Sequence, residues 1–302
     1  MNSTFSTADG LQLAYYVDDF TDPWRKPDTV LLLHAAMGNS RRWFQWVPPL
    51  SRHYRVVRLD LRGHGNSQIP KPTDDFSLSL LVSDALALLD LVGADRAHIV
   101  GNSAGGYVSQ QLAINHPNRV KSLALFGSTP GLKNSHAPTW IPRIKQIGLK
   151  QFLADTIDER FDASADPDLV KWFIEQAGSN DAAFIARFIL HMCTHDFMNE
   201  VSAIKAPTLI VAAGKEKIGH ASAYRCGPFD PQPRVISNTP TGRGGGVTPT
   251  VHLLIVIRQP SASIDSKSGK LAPRNGSERR IFPPGARFES NIRRRCGCIV
   301  SA

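Results

Sequence analysis

Apolar residues along the first 220 positions of this chain fall into two alternating patterns. Thr29–Leu33 (Thr-Val-Leu-Leu-Leu), Arg55–Leu59 and Ala97–Val100 are short, nearly continuous apolar runs, as strands buried on both faces require. Leu78–Val92 differs: Leu81, Ala85, Leu88, Leu89 and Val92 recur at three or four residues, with Asp84 and Asp90 expected to face water. That spacing predicts an amphipathic helix. Ala104–Asn115 predicts another, stopped by His116-Pro117, and Phe5–Val17 predicts an opening hairpin around Asp9-Gly10. Val120–Phe126 and Pro207–Ala213 supply further strands. Strands separated by helices imply βαβ units and an α/β fold with a mostly parallel sheet. Such sheets carry their chemistry at the carboxyl ends of the strands. His34, Asp60, Ser103 and Glu216 each fall at or just past such an end.

Gly101-Asn102-Ser103-Ala104-Gly105-Gly106 follows the strand Ala97–Val100 and opens a helix. A strand–turn–helix carrying Gly-x-Ser-x-Gly is the setting of a nucleophile elbow, whose small neighbours let strand and helix approach closely. An acyl-transfer site at Ser103 needs donors for the tetrahedral oxyanion, and one is the N–H of Ala104, the residue after the nucleophile. A second belongs in the loop after Leu33, His34-Ala35-Ala36-Met37-Gly38.

These residues, together with Asp60-Leu61-Arg62-Gly63-His64-Gly65-Asn66-Ser67, resemble the α/β-hydrolase superfamily over residues 1–220. That resemblance implies a serine hydrolase in which Ala36 gives the second oxyanion N–H, although Ala35 stands where glycine is usual. It implies that His34 props the loop. Asp60 and Arg62 are expected to bond backbone groups, and His64 is expected to be a loop residue and nothing more.

From Phe126 to Pro207 the alternation gives way to a loop, Thr129–Pro142, and helical stretches at Ile144–Phe161, Asp166–Ala177 and Asp181–His191. The insertion resembles the helical cap of the superfamily. Gly148-Leu149-Lys150-Gln151-Phe152-Leu153 and, closing the same predicted helix, Asp158-Glu159-Arg160-Phe161 resemble the 3-oxoadipate enol-lactonase group. The aromatic residues of the cap suit packing, and an apolar-lined pocket suits a small ester or lactone. His191 and His195 sit at i, i+4 without the adjacent glutamate of a zinc-hydrolase helix, so no metal and no cofactor is expected.

Charge changes the picture only near the end. Residues 1–223 hold 22 Lys+Arg against 22 Asp+Glu, whereas residues 224–302 hold 13 against 4 and so supply the whole net charge of +9. From about Tyr224 the chain is basic and rich in Pro, Gly, Arg and Ser, with little periodicity. Three of the four cysteines lie there, and Cys193 reads as a small buried apolar residue. The basic segment has few aromatic residues to stack bases and no recognised fold, so no nucleic-acid partner is expected. Without a basic leader or an apolar run near the roughly 18 residues a bilayer demands, the expectation is a cytoplasmic protein with no membrane partner. The expected division is residues 1–128 for the first part of the hydrolase core and 129–205 for the cap. Residues 206–223 form a core strand with the acid loop, and 224–302 an atypical tail.

A serine hydrolase also needs a base and an orienting acid, which the superfamily supplies in the order Ser, Asp or Glu, His. Pro207–Ala213 leads to Gly214-Lys215-Glu216, and Glu216 is the candidate acid. His220 follows it too closely. His252 is the candidate base, although it lies inside the apolar run Val251–Ile257, where a strand rather than a loop is expected. Charge balance, periodicity and resemblance all stop near Tyr224, so the tail reads like replaced or out-of-frame sequence. The reading is hydrolysis of a small carboxylic ester or lactone through an acyl-enzyme. The alternatives are an impaired member lacking a proper base, and a C–C bond hydrolase.

Overall fold

A computed structural model describes residues 2–133, 135–161 and 163–211, and beyond them the backbone of three two-residue strands, Val235–Ile236, Leu253–Leu254 and Val256–Ile257. The sheet is built from β1 (Asn2–Ser6), β2 (Gln12–Asp18), β3 (Thr29–Leu33), β4 (Arg55–Leu59), β5 (Ala97–Asn102), β6 (Val120–Phe126) and β7 (Thr208–Val211). Their order across the sheet is β1-β2-β4-β3-β5-β6-β7. β1 and β2 form an antiparallel hairpin, and β4 through β7 with β3 run parallel. Val256–Ile257 pairs antiparallel outside β7.

Register fixes where the chemistry can sit. Leu33 lies opposite both Leu59 and Gly101, and Gly101 lies opposite Leu125. His34, Asp60 and Asn102 therefore emerge side by side at the carboxyl edge, as an open parallel sheet demands of a site. All of β3 is buried, and its alternate residues serve opposite faces. Leu31 and Leu33 join the core beneath α2 (Leu78–Leu91) and α3 (Ala104–Asn115), while Val30 and Leu32 pack with Trp43, Leu50 and Tyr54. A run apolar at every position is what a strand covered twice needs.

Between β6 and β7 stand α4 (Trp140–Ile147), α5 (Leu149–Asp155), α6 (Pro167–Gly178) and α7 (Ala182–Met192). The helix predicted over Ile144–Phe161 is in fact broken. Gly148 adopts φ +80, a backbone that side chains resist, so α4 ends there and α5 restarts at a new angle. Asp158-Glu159-Arg160-Phe161 consequently does not close the same helix, since Ile157–Glu159 is a separate 3₁₀ turn. α6 and α7 start on Asp166 and Asp181, whose carboxylates accept N–H groups of their first turns. The core of these helices includes Met37, from the loop after β3.

Asp84 departs from the expectation of a solvated helix face. It is 2% exposed, and its carboxylate accepts from Nε and Nη2 of Arg62, both at 2.7 Å. Arg62 also reaches Asp9 at 2.8 Å, so it binds carboxylates rather than backbone. This hydrogen-bonded charge cluster ties the β1–β2 turn, the loop after β4 and α2 together. Arg62→Met is expected to destabilise the fold by about 3–5 kcal/mol, because the Asp84 carboxylate is left buried and unanswered. Urea unfolding checks this, and a loss below about 1 kcal/mol would show the cluster to be dispensable.

Candidate active site

Ser103 follows β5 and stands at the cap of α3 with φ 47 and ψ −113. Among the described residues, Met37 and Ser103 are the two non-glycine residues at positive φ, and both lie at the carboxyl edge of the sheet. Such conformations cost about 1–3 kcal/mol and persist only where the surroundings impose them. Here the N–H of Ser103 donates to Phe126 O at 2.9 Å. Its carbonyl accepts from Gly106 N–H at 2.8 Å and from Ser128 Oγ at 3.0 Å. Glycines make the turn possible: a Cβ on Gly105 would meet Leu33 O at 2.2 Å, and one on Gly101 would meet Gly105 O at 2.6 Å. Ser103 is half-buried, and among the described residues its Oγ accepts and donates no hydrogen bond. Ala104 begins a twelve-residue helix, whose amino end favours developing negative charge.

The loop after β3 faces this turn. His34 is 1% exposed; its Nε2 accepts from Leu61 N–H at 3.0 Å, which leaves Nδ1 to donate to Ala35 O at 2.7 Å. The ring thus joins the loop after β3 to the loop after β4 as a neutral tautomer. Burial, more than any neighbour, pushes its pKa down to about 4. Because the folded value lies below the ordinary one, the unfolded chain takes up the proton first. Stability from this contact is complete above about pH 6.5 and falls as pH drops towards about 4. His34→Gln, which can still accept from Leu61 and does not titrate, is expected to show a shallower loss of Tm between those limits. An unchanged slope would remove His34 from the acid response.

Asp60, 1% exposed, accepts from Ser40 N–H at 2.6 Å and Asn66 N–H at 3.0 Å, as its motif implies. His64 is more than a loop residue. It is 1% exposed and stacks edge-on against Phe188 of α7, with ring centroids 4.9 Å apart. Ala36 is half-buried and Ala104 buried, and neither N–H has a backbone acceptor among the described residues. Met37, next to Ala36, is held by Asn180 from the α6–α7 turn: Asn180 Nδ2 donates to Met37 O at 3.1 Å, and its Oδ1 accepts from Gly65 N–H at 3.3 Å. Sequence reasoning missed Asn180, because neither partner lies near it in the chain. His191 and His195 bring their Nε2 atoms within 3.0 Å, and His191 Nε2 also faces Leu78 N–H at 3.0 Å. The pair thereby joins α7 to the start of α2. Glu216, His220 and His252 lie outside the described residues.

The profile of the alpha/beta hydrolase fold matches residues 28–231. The chain belongs to the α/β-hydrolase fold family. The family match ends within a few residues of the change in composition near Tyr224. Among solved structures, a hydrolase from Pseudomonas aeruginosa PA01 is similar at 29% identity and a TM-score of 0.65, over 74% of this chain and 83% of that one. The enol-lactonase of Burkholderia xenovorans LB400 is similar at 25% identity and a TM-score of 0.61, over 69% and 80%. Curated relatives include a fluoroacetate dehalogenase of Burkholderia sp, 36% identical over 33% of this chain and 34% of its own length. A pimeloyl-[acyl-carrier protein] methyl ester esterase of Aeromonas hydrophila is 36% identical over 42% of this chain and 48% of its own. The chain thus matches about a third to a half of these relatives' length. No helix among the described residues is long and apolar enough to cross a membrane.

Proposed function

We propose that this α/β-hydrolase cleaves a small carboxylic ester or lactone through an acyl-enzyme on Ser103. The observation that carries the reading is the strained backbone of Ser103 at a strand–helix turn whose glycines admit no Cβ. A solvated serine in an ordinary turn has no need of that conformation. The esterase and enol-lactonase among the similar proteins favour the substrate class.

In the proposed reaction a base takes the Ser103 hydroxyl proton as Oγ attacks the carbonyl carbon. The carbonyl oxygen becomes an oxyanion, which the N–H groups of Ala36 and Ala104 are assigned to hold. Each such donor is typically worth about 2.7–4 kcal/mol of transition-state stabilisation. The tetrahedral carbon then expels the alkoxide, which takes the proton from the base. Water repeats the attack on the acyl-enzyme, releasing the acid and restoring Ser103. The base is assigned to His252 and its orienting carboxylate to Glu216. His34 is buried and joins two loops through both ring nitrogens, and His64 is buried against Phe188 with Nδ1 on Arg62 O of its own loop, so neither is assigned the role.

A fluorophosphonate probe tests the reading, since only an activated serine reacts with it. Stoichiometric labelling of Ser103, located by peptide mass spectrometry, is expected. Absence of labelling in a folded chain would favour the impaired scaffold. Turnover of a vinylogous diketone without ester hydrolysis would favour a C–C bond hydrolase, and a 2-hydroxymuconate semialdehyde hydrolase of Pseudomonas sp. is among the relatives, 33% identical over 102 residues.

A further inference from the structure

The seam between two apolar cores of the molecule runs through the candidate oxyanion loop. Ala36 packs against the core of the sheet and its helices, whereas Met37, the next residue, is 5% exposed within the cap's core, with Ile144, Phe152, Phe173 and Ile189. On either side the loop is anchored beside the sheet. His34 Nε2 accepts from Leu61 N–H at 3.0 Å, and Ser40 N–H donates to the Asp60 carboxylate at 2.6 Å. Between those anchors the partners belong to the cap. Among the described residues, Met37 O accepts from Asn180 Nδ2 at 3.1 Å and from Arg42 Nη2 at a long 3.4 Å, and Arg42 itself lies over the Phe173 ring of α6. Asn39 Nδ2 reaches Gln176 Oε1, again on α6, at 3.4 Å.

Met37 is an odd residue for its backbone. Gly38 N–H donates to Ala35 O at 3.0 Å, which closes a four-residue turn with Met37 third and at φ 58. A positive φ at the third position of a turn favours glycine or asparagine, because a Cβ crowds the backbone there. Methionine is useful in that place only for what its side chain touches, and that side chain is buried in the cap. The carbonyl of Met37 is held by Asn180, which also donates to Ala177 O at 2.9 Å and accepts from Gly65 N–H at 3.3 Å. One side chain at the α6–α7 turn therefore joins the oxyanion loop, the loop after β4 and the end of α6.

We propose that Asn180 is a positioning residue for the oxyanion hole: through Met37 it fixes the place of the Ala36 N–H, so the hole is complete while the cap is docked and is lost when the cap lifts. The proposal rests on the reading of Ser103 as nucleophile and Ala36 as oxyanion donor, and its test has an arm that does not. Asn180→Asp keeps the size and the acceptor for Gly65 but cannot donate to Met37 O. Asn180→Ala removes both contacts without adding charge. Asn180 is half-buried at a turn, so both variants are expected to fold, which circular dichroism checks. In the first arm, the full chain and the two variants hydrolyse p-nitrophenyl butyrate. Both variants are expected to lose about 10- to 100-fold in kcat with KM within about threefold, because a displaced donor forfeits part of the roughly 10²–10³ it supplies. A loss confined to Asn180→Asp would trace to its charge, and one confined to Asn180→Ala would trace to Gly65. Either result, or an unchanged kcat in both, overturns the proposal. In the second arm, amide hydrogen exchange is followed by mass spectrometry in peptides spanning the loop, where Gly38 N–H reports on the turn, and in peptides spanning α2. No turnover is required. Loop exchange at least about tenfold faster in both variants, with α2 unchanged, is expected and supports the cap's hold on the loop even where Ser103 proves inert. Unchanged loop exchange, or loop and α2 accelerating together, overturns it.

Discussion

Ser103→Ala is expected to lower kcat by roughly 10⁶-fold, the loss seen when a nucleophile that acts with a base is removed. The covalent step needs Oγ, and water has no bound position in the proposed scheme until the acyl-enzyme exists. What survives is the residual rate that oxyanion donors and substrate binding give alone, about 10³–10⁴ over water. Alanine accepts the φ of 47 no more readily than serine, so Tm is expected to stay constant. Ser103→Gly separates the two consequences of the turn. Glycine visits positive φ freely, so that variant is expected to be equally inactive yet more stable, by about 1–3 kcal/mol. The comparison needs only esterase assays and thermal melts on three proteins. Near wild-type turnover in Ser103→Ala would sink the acyl-enzyme. A glycine variant no more stable than wild type would show that the turn is not strained.

The features legible in the sequence are those encoded locally. Thr29–Leu33 and Arg55–Leu59 announce themselves because a doubly covered strand leaves few positions for a polar side chain, and both strands have the predicted bounds. The elbow is legible for a related reason: close approach of strand and helix admits glycine at Gly101 and Gly105, and the requirement is visible in the residues themselves. The helix predicted over Ile144–Phe161 fails because a periodic apolar pattern hides the weight of one glycine. Asp84 misleads for a different reason. An aspartate among leucines looks solvated until Arg62, 22 positions away, is folded against it. Asn180 carries no signal at all. What distinguishes it is two distant backbone partners, Met37 and Gly65, and that property has neither a period nor a motif.

The remaining large effect concerns the base. His252→Ala and Glu216→Gln both bear on the proposed triad, and they separate two accounts of the residues after Tyr224. If His252 takes the serine proton, its loss should resemble the loss of Ser103 itself, because the two act as a unit. Glu216→Gln should then cost about 10⁴-fold in kcat with little change in Tm, since an amide cannot stabilise the charged ring or hold its tautomer. Against this stands the composition of the tail, where charge balance and periodicity end together and the family match stops at residue 231. On that account Ser103 is close to an ordinary alcohol, and the chain hydrolyses esters only weakly. Both substitutions should then leave the weak rate within about threefold, because neither removes a working proton acceptor. Grafting the closing segment of an ordinary family member after residue 223 should raise the rate by several orders of magnitude and make it dependent on the histidine supplied. The proposed triad predicts the first pattern, and with it the labelling of Ser103 by the fluorophosphonate probe and the loss of turnover in Ser103→Ala. An ungrafted chain whose weak rate is indifferent to His252→Ala, and which becomes active only with the grafted ending, would overturn the triad and remove His252 as the base.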